Sequence, residues 1–195
     1  IEIFILALVV AIVGFIVFVE QANRRIPLQS PRRTVGTKTI GGQASYLPFK
    51  VNTAGVIPVI FASSIMFIPA MIASWMPNVS LAQSFAAAFV PGHISYSVIF
   101  ALLIIFFTFF YTAIQYNPND IAENLKKSGG FIPGYRPGKN TAEYIDYVLT
   151  RISLPGSIFL AFISVGPLHL KDALDMSFYI GGTSVLIVVG VALDT

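Results

Sequence analysis

The chain has 195 residues, is 55% hydrophobic and only 11% charged, and carries a net charge of +3 with a mean hydropathy of +0.78. A water-soluble domain of this length carries roughly twice that share of charge, so the composition excludes an ordinary soluble fold and places the chain in the membrane class. The absence of cysteine excludes a disulfide framework and thiolate metal sites, and leaves the redox compartment unreadable.

The first stretch, IEIFILALVVAIVGFIVFV, is apolar but lacks a basic leader region and an A-x-A cleavage site, so it does not read as a secretory signal. Residues 3–19 instead form the first of five blocks long enough to cross a bilayer as helices, the others being 54–76, 95–115, 147–168 and the shorter 178–193. Backbone groups cannot go unpaired in lipid, and the alternation of a barrel strand is absent. The expected fold is therefore all-α, a polytopic membrane helix bundle with five transmembrane helices in a single membrane domain, 1–195. The chain opens without Met and stops directly after an apolar run, which reads as a piece of a longer or split protein.

Between the first two blocks lies a loop, 20–53, that carries Arg24, Arg25, Arg32, Arg33, Lys38 and Lys50 against Glu20. Its pieces of β-prone sequence, separated by Pro31, Gly36 and Gly41-Gly42, predict a twisted hairpin projecting from the membrane. In the second block Pro58 and Pro69 predict kinks, and Ser63 and Ser64 supply weak polarity. The next loop, around 77–94, has no Lys or Arg.

The loop after the third block, 116–146, is basic again, with Lys126, Lys127, Arg136 and Lys139. Asn119 is the expected cap of a short helix, DIAENLKK, with Ile121 and Leu125 on one face and Glu123 four residues before Lys127; Gly129 is its expected stop. Asn140 and Glu143 have the spacing of a capping box that starts the fourth block. Between these ends, GGFIPGYRPGKN holds two Pro-Gly pairs, each suited to a type II turn. Such turns leave Tyr135 and Arg136 little backbone freedom, as a preorganised contact requires. They equally serve simply to end helices, with Arg136 placed by the positive-inside rule. The fourth block holds Pro155, Gly156 and Pro167, the loop after it only Lys171, and the fifth opens on Gly181-Gly182-Thr183. Alternating basic and non-basic loops put 20–53 and 116–146 in the cytoplasm.

Chemistry is sparse. His93 and His169 are far apart and read as interfacial residues rather than metal ligands, and neither GGQAS nor PGYRPG has the flanks of a phosphate loop. No span carries an ionisable residue near its middle, which argues against an intramembrane protease or a proton-coupled pump. No metal or cofactor is implied, and no enzyme.

The strings NRRIPLQ, LPFKVNTAGVIPVIFASSI, QYNPNDIAENLKKSGGFIPGYRPG, TAEYIDYVLTRISLPG and GGTSVLIVVGVALDT, in this order, resemble the SecY family, the channel subunit of the bacterial protein translocon. The resemblance covers essentially the whole chain and matches the family's second half, transmembrane helices six to ten. It implies half of the SecY channel fold, in the bacterial cytoplasmic membrane, passing unfolded secretory polypeptides across and membrane segments sideways into lipid. It implies a pore constriction at Ile60 and Ile187, and a lateral gate near Ser63, Ser64 and Ile68, where the serines either bond across the seam or back to their own helix. It further implies docking of the SecA motor or the translating ribosome, including its RNA, on Arg136, Tyr135, Arg24, Arg25, Arg32 and Arg33. Partners implied are SecE and SecG-like subunits, signal sequences, membrane lipids and an N-terminal half of SecY. Residues alone leave two alternatives, half of a solute permease and a structural scaffold. A permease requires a polar mid-membrane site, and a scaffold has no need of rigid basic loops.

Overall fold

The computed structural model describes residues 2–31, 33–35, 38–40, 45–76, 79–90, 92–174 and 182–194. Among the described residues seven helices carry the apolar blocks and their connections: α1 (Glu2–Glu20), α2 (Ile57–Trp75), α3 (Ser80–Ala87), α4 (Ile94–Gln115), α5 (Pro118–Lys127), α6 (Lys139–Leu174) and α7 (Gly182–Asp194). Among the described residues α1, α2, α4 and α6 are long and apolar enough to cross a membrane. The expected fifth crossing is represented by the 13 residues of α7, and its first positions, 178–181, lie outside the described residues.

The predicted hairpin is present, and it adds strands to an otherwise helical chain. Strands β1 (Asn23–Leu28) and β4 (Ser45–Lys50) pair antiparallel from Asn23 opposite Lys50 to Leu28 opposite Ser45. Within their span, β2 (Arg33–Val35) and β3 (Lys38–Ile40) pair from Arg33 opposite Ile40. The alternation of a strand sends Ile26 and Leu28 inward and leaves Arg25 and Pro27 exposed.

Several local expectations are corrected. Pro58 does not kink α2. It sits in the first turn, where its missing N–H has no helical partner to lose, whereas Pro69, Pro155 and Pro167 lie inside helices. Asn117, not Asn119, caps α5: its side chain accepts the Asn119 N–H at 3.1 Å, and Pro118 follows as the first helical residue. The stop is as expected, with Gly129 at φ 74° and the Gly129 and Gly130 N–H groups returning to the carbonyls of Lys126 and Leu125. The capping box at Asn140 does not form, because α6 already begins at Lys139. Gly138 instead supplies the carbonyl that accepts the Ala142 N–H at 3.1 Å, and Thr141 Oγ1 donates to the Arg136 carbonyl at 2.8 Å.

Helix α6 is 36 residues long, well beyond the block 147–168. At 1.5 Å per residue it extends about 54 Å, more than a hydrocarbon core of about 30 Å requires. Its first turns therefore serve a second purpose. Ala142, Ile145, Val148, Leu149 and Ile152 pack with Ile26, Leu28, Phe49, Ala122 and Ile132 into a small core under the β1–β4 ribbon. The larger core lies among the long helices, around Ile16, Val59, Ala62, Met66, Phe100, Ile104, Leu160 and Leu186.

The ends of α1 and α4, the start of α2 and Gly190 near the end of α7 line one cavity of about 690 Å³. The ends of α1, α4 and α7 thus lie at the same level as the start of α2, which runs opposite to them, and the segments that follow α1 and α4 emerge at this end of the bundle. There they join: Gln29 and Phe131 exchange backbone hydrogen bonds, each of 2.9 Å.

Candidate functional site

Two surfaces meet the description of a site. The first is the joined pair of loops. Arg24 and Arg25 are exposed on β1, and Arg136 is exposed between the two Pro-Gly turns. The first of those turns closes with Tyr135 N–H donating to Ile132 O at 3.1 Å, and both glycines take the left-handed backbone expected of them, Gly134 at φ 89° and Gly138 at φ 114°. Tyr135 stacks on Tyr144 of α6, with ring centroids 4.3 Å apart. The backbone of Arg136 is thus held from both sides, by the Tyr135 stack before it and by the Thr141 hydroxyl on its own carbonyl. The guanidinium stands free of any ion pair among the described residues. Arg33 occupies the first position of β2, and Arg32 lies outside the described residues. Arg24, Arg25 and Arg136 therefore sit on one body, because β1 continues through Gln29 into the bridge with Phe131.

The second surface runs along α2 and α7. A methyl group built on Gly190 would stand 2.9 Å from Val56 Cγ2, so the end of α7 crosses the start of α2 at this point, where a side chain would require Val56 to shift. Ile60 lies one turn from Val56 along α2 and Ile187 one turn back from Gly190 along α7. Since the helices run in opposite directions, both isoleucines lie about 5 Å to the same side of the crossing. Their side chains remain 45% and 40% exposed, which leaves both available to line a space rather than fill a core. Further along α2, Ile68 is exposed beside Pro69. Ser63 and Ser64 both donate to the Ile60 carbonyl at 2.8 Å, so their hydroxyls are engaged within their own helix.

A third feature was not anticipated from the residues: a polar joint between β4 and α2. Asn52 Nδ2 donates to Glu20 Oε1 at 2.6 Å, and the Thr53 and Thr112 hydroxyls share a hydrogen bond of 3.2 Å. Gly156, buried in α6, faces the Val51 carbonyl so closely that a Cβ would stand 2.5 Å from it. The signal in the sequence was the run VNTAG, polar and small, directly before an apolar block. The two histidines also behave differently from each other. His93 is exposed just before α4, while His169 shares a 2.9 Å hydrogen bond with the buried Ser97 and so ties α6 to α4. No group of three metal-ligating side chains occurs among the described residues.

The family model described as SecY matches residues 1–195. The protein translocase subunit SecY of Streptomyces griseus is 50% identical over 94% of this chain and 43% of its own length. The protein of the same description from Escherichia coli strain K12 is 48% identical over 96% of this chain and 43% of its own. The chain thus spans somewhat less than half the length of these curated relatives. A solved structure of a protein conducting channel aligns over 95% of this chain and 46% of that one, with a TM-score of 0.63 at 19% identity, a likeness of fold. A second, of a SecY protein whose plug domain stabilises the closed channel, aligns with a TM-score of 0.54. These descriptions leave the solute permease alternative without support.

Proposed function

This chain belongs to the SecY family, and from that premise we propose that it forms one half of a passive protein-conducting channel in the bacterial cytoplasmic membrane. Unfolded secretory polypeptides would cross through it, and apolar segments would leave sideways into lipid. The observation that carries the reading is the pairing of the two surfaces: a neutral, exposed isoleucine pair where α2 meets α7, and a rigid basic platform at one end of the same bundle. Apolar side chains part around a moving chain, yet close into a constriction that water and ions leave. That suits Ile60 and Ile187 as the part of a pore ring contributed by this half. The remainder of the ring, and a closed channel wall, would come from an N-terminal half of SecY.

In the same reading α2 is one side of the lateral gate. Ser63, Ser64 and Ile68 present a weakly polar and apolar edge to signal sequences and to lipid, and the serines, bonded to Ile60 O, add little strength to a seam. The platform, with Arg24, Arg25, Tyr135 and Arg136, faces the cytoplasm and docks the partner that delivers the chain, and Arg32 and Arg33 of the same loop add to the docking charge. Arg136 offers a fixed guanidinium for a charge-assisted bond to a SecA carboxylate or to a ribosomal RNA phosphate. SecE and SecG-like subunits complete the assembly. The channel performs no catalytic step of its own, so energy comes from SecA or from translation.

The test uses the complete channel with its partner subunits in proteoliposomes. Transport of an unfolded secretory polypeptide, with no flux of small solutes, is the expected result, and solute flux without polypeptide transport rejects the proposal. Arg136→Glu is expected to insert and assemble normally but to lower SecA-driven export at least about a hundredfold, the scale of a lost charge-assisted bond replaced by repulsion. Export at the parental rate would remove Arg136 from the docking surface.

A further inference from the structure

The short stretch between β4 and α2 is held by four helices at once. The Val51 N–H donates to Ala22 O, just past α1, at 2.9 Å. Asn52 reaches Glu20 at the end of α1, Thr53 reaches Thr112 of α4, α6 offers Gly156 to the Val51 carbonyl, and α7 offers Gly190 to Val56. Asn52 is 3% exposed and Thr53 7% exposed; the Thr53–Thr112 bond is buried and the Asn52–Glu20 bond partly so, which strengthens both relative to open water.

Asn52 also buries its Oδ1 with no hydrogen-bond partner among the described residues. A residue kept for packing alone would do better as an apolar side chain, because an unpaired buried acceptor costs stability. The value of Asn52 therefore lies in its other atom, the Nδ2 that holds the Glu20 carboxylate.

Beyond Ile60 the helix is built differently. Phe61, Phe67, Ile68, Met71 and Trp75 are all at least half exposed, two serine hydroxyls converge on the Ile60 carbonyl, and Pro69 breaks the hydrogen-bond ladder. Back-bonding serines and an internal proline are both places where a helix bends. The base of α2 is held by polar and backbone contacts on several sides, whereas beyond Ile60 only Ala62 and Met66 are buried and the opposite face is open.

We infer that Glu20 and Asn52 are positioning residues for the constriction: their partly buried bond fixes the base of α2, keeps Ile60 level with Ile187 at rest, and confines the opening movement to the part of α2 beyond Ile60. The inference rests on the channel reading given above, and it adds two residues outside the constriction and the docking surface assigned there.

The chain contains no cysteine, so a pair introduced as Ile60→Cys and Ile187→Cys reports the spacing of the two helices through its yield with a short bifunctional thiol reagent. The measurement is made in the complete channel, with its partner subunits, in proteoliposomes, in parallel with resting ion leak in the cysteine-free protein. Glu20→Leu removes the acceptor and Glu20→Gln retains one. Loss of a hydrogen bond to a charged group corresponds to roughly a tenfold change in the resting equilibrium, so Glu20→Leu is expected to raise the leak about tenfold and to lower the cross-link several-fold. Glu20→Gln is expected to fall between, within about threefold of the parent in both, since the neutral acceptor keeps about half of the bond. Should Glu20→Leu fail to assemble, Asn52→Leu is read in the same way and with the same expectations. Unchanged cross-linking and leak in the leucine variant overturn the inference, and so does a glutamine variant that behaves like leucine. Cross-linking is read without any transport, so a parent channel that cross-links but moves no polypeptide overturns the channel reading instead.

Discussion

The bundle and the ribbon platform each have a buried core, but they differ in what surrounds it. Around the bundle core of Ile16, Ile104 and Leu160, the exposed side chains are as apolar as the buried ones: Phe4, Phe18, Leu102 and Phe162 all face outward. Around the platform core of Ile26, Ile145 and Ile152, the exposed positions hold Arg24, Arg25, Glu123 and Lys127. The first region is built for lipid and the second for water. In lipid, moving a side chain from outside to inside gains little, so helices are held by close fit and by small residues. In water, burial itself is the driving force. One chain thus uses two kinds of cohesion, and helix α6 runs through both.

The joint between the regions is the place to break them together. Gly156 lies on α6 between the two cores, and Val51, whose carbonyl it faces, packs against the platform core. Gly156→Val would drive side-chain carbons into a backbone carbonyl that cannot rotate away. Overpacking of this kind costs about 3 kcal/mol or more. Thermal denaturation of the complete channel in detergent is expected to show the largest loss of any substitution considered. A variant as stable as the parent would mean that the two regions are not fastened here.

A matched pair of truncations sharpens the contrast itself. Ile145 and Ile104 are both 0% exposed, one in each core. Ile145→Ala removes apolar surface from a water-facing core and leaves a cavity, at a cost of about 3 kcal/mol. Ile104→Ala leaves the same cavity, but the alternative environment for Ile104 is lipid, so the transfer part of the cost is largely missing and about half the effect remains. The two variants are compared by unfolding in the same detergent. Equal losses would mean that Ile104 and Ile145 answer to the same solvent.

What was legible from the residues follows the same division. The long helices were readable because lipid enforces uninterrupted apolar runs, and the block 95–115 lies within α4 almost end to end. The hairpin was readable from its Pro and Gly punctuation, and the glycines of the Pro-Gly turns from their need for positive φ. Contacts between distant segments were not. Nothing local in PLQS and GGFIP announces that Gln29 bridges Phe131, and nothing in Gly156 or Gly190 names the backbone or side chain each would meet. The starts of α5 and α6 were misplaced for a smaller reason: Asn117 and Asn119 are both good caps, and only the following Pro118 settles the choice in favour of Asn117. In the candidate site, the described residues taken from family resemblance, Arg24, Arg25, Ile60, Ile68, Tyr135, Arg136 and Ile187 among them, stood on surfaces. The polar joint stayed hidden because the partners of the adjacent Asn52 and Thr53, Glu20 and Thr112, belong to two other segments far away in the chain.

The smallest expected effect tests the platform's exposure to water from the other direction. Glu123 and Lys127 form an ion pair of 2.9 Å on α5, but their side chains are 61% and 69% exposed. Such a pair at helical spacing, screened by solvent, contributes about 0.3 kcal/mol. Glu123→Ala is expected to lower stability by that amount at low salt and by nothing measurable near 1 M salt, where the screening length falls to about 3 Å. Salt titration of the parent and variant melting curves checks this. A difference that survived high salt would mean that Glu123 is shielded from bulk water, with α5 lying closer to the lipid surface than the platform geometry places it. Convergence of the two curves, set beside an Ile104→Ala deficit that ignores salt, would assign each region its own solvent by experiment.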